Sequence, residues 1–512
     1  MKTRLFLYLL LALGLQVKTE ARPQIQNKEK NVPVIIIMAD QLRYDAIGKF
    51  TPNINSLKEE GVTFNRLYTA CPLCAPSRAS FFTGRYPNNT GCIINGWQPE
   101  DRHYQKVRSG MPDLYRTMSE DWDSWHIGKQ HFFTQDKIDK DPQTKTKWIT
   151  TNNYEKWLKK QNVRKAGGSN FKAIDPELVA NTHTSIKNYS IPETGLYEPG
   201  AKYYFDQYVA DKVVETIKGH SEGSKPLLVN AMFLAPHPPL DVPEPYYSEV
   251  KKDDFTLPDN VGVWYPGQSP LQLYNLTGFF GSRYSREQWS EIWPKYLGLV
   301  SLFDDEVGRI IQALKDKGIY DNALIIVTAD HGEMLGSHCL WQKNCMYEES
   351  ARVPFVIKFP SDFKPAVNET DEVVSLMDVW PTLIDYLKIP DAAETDGISF
   401  MPVVNGKTID RKPVFIQYDG NGAYGNNQRC IVQDDFKLIL DTFKDEIFVE
   451  LYNIRKDPEE KDNLAFQPEY KYKVNELINQ IKDHMENTHD LIHIPDNVYD
   501  HFLANYQPYY KK

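Results

Sequence analysis

Short apolar runs that end on polar residues punctuate the first three quarters of the chain. Val34 to Ala39 is β-branched and uninterrupted, which predicts a buried strand with Asp40 at its carboxyl end. Asn55 to Gly61 predicts a helix and Val62 to Tyr68 a second extended segment. Ala79 to Thr83 continues from a Pro-Ser-Arg turn as the first turns of another helix. Leu227 to Leu234 predicts a strand running straight into Pro236, His237, Pro238 and Pro239. Tyr296 to Leu314 carries apolar residues at helical spacing. Ala323 to Thr328 predicts a strand ending at Ala329, Asp330 and His331, and Val353 to Lys358 one more. Recurring strands and helices predict an α/β fold. In open α/β sheets ligands gather beyond the carboxyl ends of the strands, where Asp40, His237 and Asp330–His331 fall.

The pattern changes between Pro390 and Gly406, where Pro, Gly and Asp break the chain. Beyond it, Val414 to Tyr418, Arg429 to Val432, Phe436 to Leu440 and Ile447 to Tyr452 predict a smaller antiparallel sheet, and Val474, Leu477, Ile478 and Ile481 stripe a last helix. This divides the chain into a large domain at 22–395 and a smaller C-terminal one at 396–512. At the other end, Lys2 and Arg4 precede the apolar run Leu5 to Leu15. A polar stretch and the small Ala21 follow, the pattern of a signal peptide over residues 1–21. The expectation is a periplasmic or secreted protein. No later stretch approaches 18 uninterrupted apolar residues, so no transmembrane segment is expected.

Composition adds exclusions. The 512 residues are 25% charged and 41% hydrophobic, which sets aside disorder and coiled coil for the whole chain. Removing the leader takes away three basic and one acidic side chain, moving the formal charge from -10 to -12. That balance argues against nucleic acid as a partner. An anionic substrate stays open, because cations clustered in a cleft reverse the local field. Six cysteines in so long a chain make no disulfide framework, although Cys339 and Cys345 are close enough to bridge in an exported protein.

The most specific segment is Cys74-Ala75-Pro76-Ser77-Arg78, continued by Phe82-Thr83-Gly84-Arg85. Taken alone, Cys74 could be a small buried hydrophobe, a disulfide partner, a nucleophile or a soft metal ligand. Arg78 lies four residues on, where helical geometry brings both side chains near one site and a guanidinium would stabilise an anion. Together these residues resemble the sulfatase family, whose pattern is Cys-x-Pro-Ser-Arg followed by x-x-x-Leu/Phe-Thr-Gly-Arg. Further signatures follow in the family's order: Asp40-Gln41, where many relatives carry a second Asp; Gly128-Lys129-Gln130-His131, with Gln130 replacing the usual Trp; Pro236-His237-Pro238-Pro239; Thr328 to Gly332; Lys343; Tyr347-Glu348-Glu349; and Arg352-Val353-Pro354. Glu450 to Asn453 and Asn463-Leu464-Ala465 match the closing pattern. The likeness covers most of residues 32–466.

The resemblance implies an alkaline-phosphatase-like fold, with a large mixed, mostly parallel sheet flanked by helices. It implies hydrolysis of sulfate esters, with Cys74 converted to Cα-formylglycine by a maturation enzyme. One Ca²⁺ per chain would be held by Asp40, Gln41, residue 74, Asp330 and His331, although His331 could instead bond sulfate. Arg78, Lys129 and Lys343 would compensate the sulfuryl charge. His237 would protonate the leaving oxygen, with Lys343 as competitor, and His131 would handle the formylglycine hydroxyl. Beyond the sulfate, Trp97, Arg102 and His103 could meet the rest of the ligand, together with Lys129, His237 and Lys343. The expected substrate is a sulfated glycan, a glycosaminoglycan or mucin sugar, with N-acetylhexosamine 6-O-sulfate first among the positions. Alternatives are a phosphonate monoester or phosphodiester hydrolase, a choline-type sulfatase, and a glycan-binding protein without catalysis.

Overall fold

The computed structural model describes residues 32–96, 102–142, 144–178, 184–221, 223–390, 392–409, 413–422 and 424–510. The expected signal peptide at 1–21 and Trp97 lie outside these residues. The strand Val34–Asp40 is buried along its whole length and lies between Leu227–Pro236 and Leu324–Ala329, parallel to both. A strand covered on both faces has no solvent side to mark with polar residues, so its sequence reads as one apolar run. Asp123–Gly128 and then Lys147–Thr150 extend the sheet in parallel beyond Leu227–Pro236. On the other side Phe355–Lys358 pairs antiparallel with Leu324–Ala329 and with Val62–Tyr68. Arg352–Val353, antiparallel, and Glu369–Ser375, parallel, complete a nine-stranded mixed sheet through Val62–Tyr68. Pro354 separates the two pieces of the predicted Val353–Lys358 strand because it has no N–H for the ladder.

Helices flank this sheet. The predicted Tyr296–Leu314 helix is longer, Arg286–Asp316, because the Ser285 side chain accepts from the Gln288 N–H and caps an earlier start. It packs on the helix Phe205–Gly219 and on the strand Leu227–Pro236. The helix that carries Cys74 also begins earlier than predicted, at Cys74, and runs to Thr83 with every residue buried. Gly84 ends it with φ 66°, a left-handed conformation that favours glycine.

Val414–Tyr418, Asn427–Gln433, Phe436–Phe443 and Glu446–Asn453 form the expected four-stranded antiparallel sheet, against which the helix Lys471–Asn487 packs with Val474, Leu477, Ile478 and Ile481. A hairpin of Lys172–Leu178 and Thr184–Ser190 stands apart from both sheets. All six cysteines are free, so the Cys339–Cys345 bridge does not form; Cys345 is packed instead among Leu73, Met334 and Tyr347. Among the described residues no helix is long and apolar enough to cross a membrane.

Candidate active site

Parallel pairing decides where the chemistry collects. Ala39 lies level with Ala329, Asp40 with Pro236, and Gly128 with Met232, so four strands end on one edge of the sheet. The residues that follow, Gln41, Lys129, His237, Asp330 and His331, leave the sheet at that edge. Two glycines let the backbones close up there. A Cβ on Gly128 would sit 1.9 Å from the Met232 carbonyl oxygen, and one on Gly332 1.9 Å from that of Glu349.

Cys74 opens its helix over this edge. Its Sγ lies 3.8 Å from Asp40 Oδ1, 3.8 Å from Lys129 Nζ and 3.1 Å from His331 Nε2. Arg78, one turn along, projects to the same place. Its Nη2 reaches Asp40 Oδ2 at 3.1 Å and its Nε reaches Asp330 Oδ2 at 2.9 Å. Ser77 Oγ donates to the Asp330 carbonyl oxygen and Ala75 N–H to Asn95 Oδ1, pinning the first turn of the helix to both sides of the site.

Charge is dense here. Burial alone would push the Cys74 thiol up, but Lys129, Lys343 and His331 outweigh it and hold the thiol well below its ordinary value. Lys129 donates to Asp40 Oδ2, and Asp40 stays well below the carboxylate range because Lys129, His237 and Arg78 outweigh its burial and the neighbouring sulfur. Asp330 goes the other way, raised by burial and by repulsion from Asp40. Burial brings His131 and His237 each down to about 4, helped at His131 by Lys129 and at His237 by Lys343.

Tautomers follow from the partners. His237 Nδ1 faces the Pro238 carbonyl, which can only accept, so in the neutral ring Nε2 carries the lone pair that takes the Lys343 ammonium at 3.0 Å. His331 Nδ1 faces the Gly332 carbonyl oxygen at 3.0 Å in the same way, leaving Nε2 toward the sulfur. His331 is raised, since Asp330 and Cys74 together outweigh its burial. His131 Nδ1 is buried without a hydrogen-bond partner.

Ligand atoms of Asp40, Cys74, Asp330 and His331 all lie within 4.8 Å of one another, a group able to hold a metal ion. Gln41 turns its Oε1 toward Lys343 Nζ beside them. Two fully buried carboxylates that repel each other, with an amide oxygen alongside, make an oxygen-rich set that fits a hard divalent cation.

A cleft of about 550 Å³ opens above Cys74, and Lys129, His131, His237 and Lys343 line it. Its outer wall is Tyr154, Glu155, Lys165, Asn188, Tyr189 and Tyr204, with Asn421 from the loop after Val414–Tyr418. None of these wall residues was singled out in the sequence. All but Asn421 come from the segment between the two histidine signatures, and the aromatic spacing of Tyr154 within Thr151–Gln161 is also what a helix core shows. Arg102 and His103 are exposed in the turn Arg102–Gln105, where His103 lies tilted against Tyr104, and they are not among the residues lining the cleft.

Comparisons with known proteins agree with this geometry. A family model described as "Sulfatase" matches residues 33–389, and one described as "N-sulphoglucosamine sulphohydrolase, C-terminal" matches residues 336–488. The chain is 26% identical over 475 residues to an arylsulfatase of Clostridium perfringens, covering 87% of this chain and 92% of that protein. It is 25% identical over 523 residues to an N-acetylglucosamine-6-O-sulfatase of Bacteroides thetaiotaomicron, covering 94% and 91%. Among solved structures, a phosphonate monoester hydrolase of Agrobacterium radiobacter superposes with a TM-score of 0.70 at 22% identity, over 89% of this chain and 96% of its own, a likeness of fold. With the sulfatase profile spanning most of the chain and the buried Asp–Cys–Asp–His cluster at its sheet edge, this protein belongs to the sulfatase family and is a sulfuric ester hydrolase.

Proposed function

We propose that the protein is an exported exo- or endo-acting glycan sulfatase that uses a formylglycine made from Cys74, with one Ca²⁺ held by Asp40, Gln41, Asp330 and His331. The observation that carries this reading is the placement of Cys74 at a helix start, within reach of Asp40, His331 and Lys129, on the floor of a cleft lined by cations. When present, calcium and the hydrated formylglycine supply charge compensation at sulfate and a geminal diol, one hydroxyl displacing the alcohol at sulfur and the other releasing sulfate as the aldehyde returns.

The chain's own residues do the rest. Arg78 ties Asp40 to Asp330, so the two carboxylates keep their spacing. Lys129 and Lys343 both bring ammonium groups to the cleft at Cys74 and offset the charge of a transferring sulfuryl group. Lys343 and His237 share one proton across 3.0 Å, and the pair is the source of the proton taken by the leaving oxygen. His131, neutral and with an unpartnered nitrogen, is the base for the second hydroxyl.

Sulfated N-acetylhexosamine, with the ester at position 6, is the substrate class the reading favours. Support comes from a wall of Tyr154, Tyr189 and Tyr204 with Asn188 and Asn421, aromatic faces and amide groups suited to a sugar ring and its hydroxyls, and from the name of the Bacteroides relative. The test is to present matured enzyme with N-acetylglucosamine 6-sulfate, its 3- and 4-sulfated isomers, choline sulfate, a phosphonate monoester and a phosphodiester. Preferential desulfation at position 6 is expected. A kcat/KM at least tenfold higher on a phosphonate or phosphodiester would overturn the reading, and binding of the sugar with no turnover of any ester would make the protein a lectin.

A further inference from the structure

Gln41 sets a problem that a second aspartate would not. A carboxylate offers two equivalent oxygens to a cation, whereas an amide offers one oxygen and one NH₂ of nearly the same size. Unless something decides which end faces the cluster, the wrong end is presented part of the time.

The surroundings of Gln41 decide it. The residue follows the strand Val34–Asp40 in a left-handed conformation, φ 69°, with its N–H donated to Asp330 Oδ1 at 3.2 Å and its carbonyl oxygen accepting from the Tyr296 hydroxyl at 2.9 Å. Its backbone is therefore held on both sides. At the tip of the side chain, Nε2 donates to Glu333 Oε2, while Oε1 accepts from Lys343 Nζ. Both Gln41 and Glu333 are fully buried. The other oxygen of Glu333 accepts the N–H of Leu335 at 2.9 Å and of Gln342 at 2.6 Å, so the carboxylate itself cannot turn. A carboxylate only accepts and an ammonium only donates, so these two neighbours leave the amide one orientation.

We infer that Glu333 is a positioning residue: it takes the NH₂ end of Gln41 and thereby presents the amide oxygen to the cation site. The inference rests on the proposed calcium reading. It assigns to Glu333 a task that exists only because position 41 is an amide. The same carboxylate braces the turn that leads to Lys343, but that bracing does not depend on what stands at 41.

This difference makes the test. Full-length matured enzyme is stripped with a chelator and titrated with calcium chloride by calorimetry. Glu333→Gln keeps an oxygen for the Leu335 and Gln342 N–H groups but brings an NH₂ that can donate to a reversed Gln41 amide. The expected result is a calcium Kd raised by about 10–100-fold, the range typical of partners that orient metal ligands. In the Gln41→Asp background the two oxygens are equivalent, and Glu333→Gln also removes a carboxylate facing another. There the same change should cost clearly less calcium affinity than in the wild-type background, only the effect of one lost negative charge nearby. An equal loss in both backgrounds, or no loss in either, overturns the assignment. Wild-type protein that takes up no calcium overturns the metal reading instead, so the two failures are told apart. Melting temperatures of the stripped variants are read alongside; a drop in the stripped Glu333→Gln protein that Gln41→Asp does not reverse marks a merely structural role and also overturns the inference.

Discussion

Lys437 is the cation on which the junction between the two sheets turns, and its removal has a calculable consequence. It sits in the strand Phe436–Phe443 with no exposed side chain. Its Nζ lies 2.6 Å from Glu348 Oε1, 2.8 Å from Glu460 Oε1 and 2.9 Å from the Met346 carbonyl oxygen, so it holds the segment that follows Lys343. Lys437→Met keeps much of the volume and leaves the ionised Glu348 and the neutral Glu460 carboxyl buried without their cation. Breaking a buried pair by removing one partner costs about 3–5 kcal/mol. Unfolding entropy of about 2 cal/mol/K per residue comes to about 1 kcal/mol/K for a chain of this length, so Tm should fall by about 3–5 °C.

The loss has a definite pH dependence. In the wild type burial raises Glu460 from 4.5 to about 8 despite Lys437, so its contribution to stability is full below 4.5 and is lost as pH rises through 8. Glu348 behaves oppositely: Lys437 and Arg352 overcome its burial and hold it below 4.5, so it stabilises the fold above that pH. Without Lys437 the Glu348 carboxyl is driven upward and its contribution changes sign. The gap in Tm between wild type and variant should therefore widen from pH 5 to pH 8 in differential scanning calorimetry. A gap under 1 °C, or one that is larger at pH 5, would refute the reasoning.

Other outcomes are equally direct. Cys74→Ser should keep the fold but lose multiple turnover, because a single hydroxyl has no geminal partner with which to expel sulfate; sustained turnover in a rapid-quench assay contradicts the diol mechanism. Peptide mass analysis of the wild type should show about 18 Da missing at residue 74, the mark of the proposed modification. Lys129→Met removes one of the two ammonium groups beside the sulfur and should lower kcat by about 10²–10³-fold, or 2.7–4 kcal/mol. Asp441 is buried and raised from 3.8 to about 7, so the wild type gives up stability between those values as the unfolded chain ionises first. Asp441→Asn, which can still accept from Ser269 Oγ, should leave Tm near pH 4 unchanged and raise it at pH 8, with a ceiling of about 4 kcal/mol from three pH units at ~1.4 kcal/mol each.

Much of the molecule could be read from local stretches of chain. Val34–Asp40 declares itself because a strand covered on both faces needs seven residues that tolerate burial, and Cys74 to Arg85 because its chemistry needs those side chains at helical spacing. Composition and turn residues also place the small antiparallel sheet, whose strands follow one another along the chain. Elements whose reasons lie elsewhere were not legible. Asp123–Gly128 carries Lys129 to the site, yet its Asp, Ser and His hide it from any apolar window, and the strand exists because Leu227–Pro236 pairs with it. The first turn of the helix Cys74–Thr83 is pinned by Ser77 meeting Asp330, 253 positions away. The cleft wall and the orientation of the Gln41 amide by Glu333, 292 positions on, are decided by neighbours that the fold brings together. A residue's type sets what it can donate, accept or bury; which partner it meets is a property of strand order and register, and that information is spread over the whole chain.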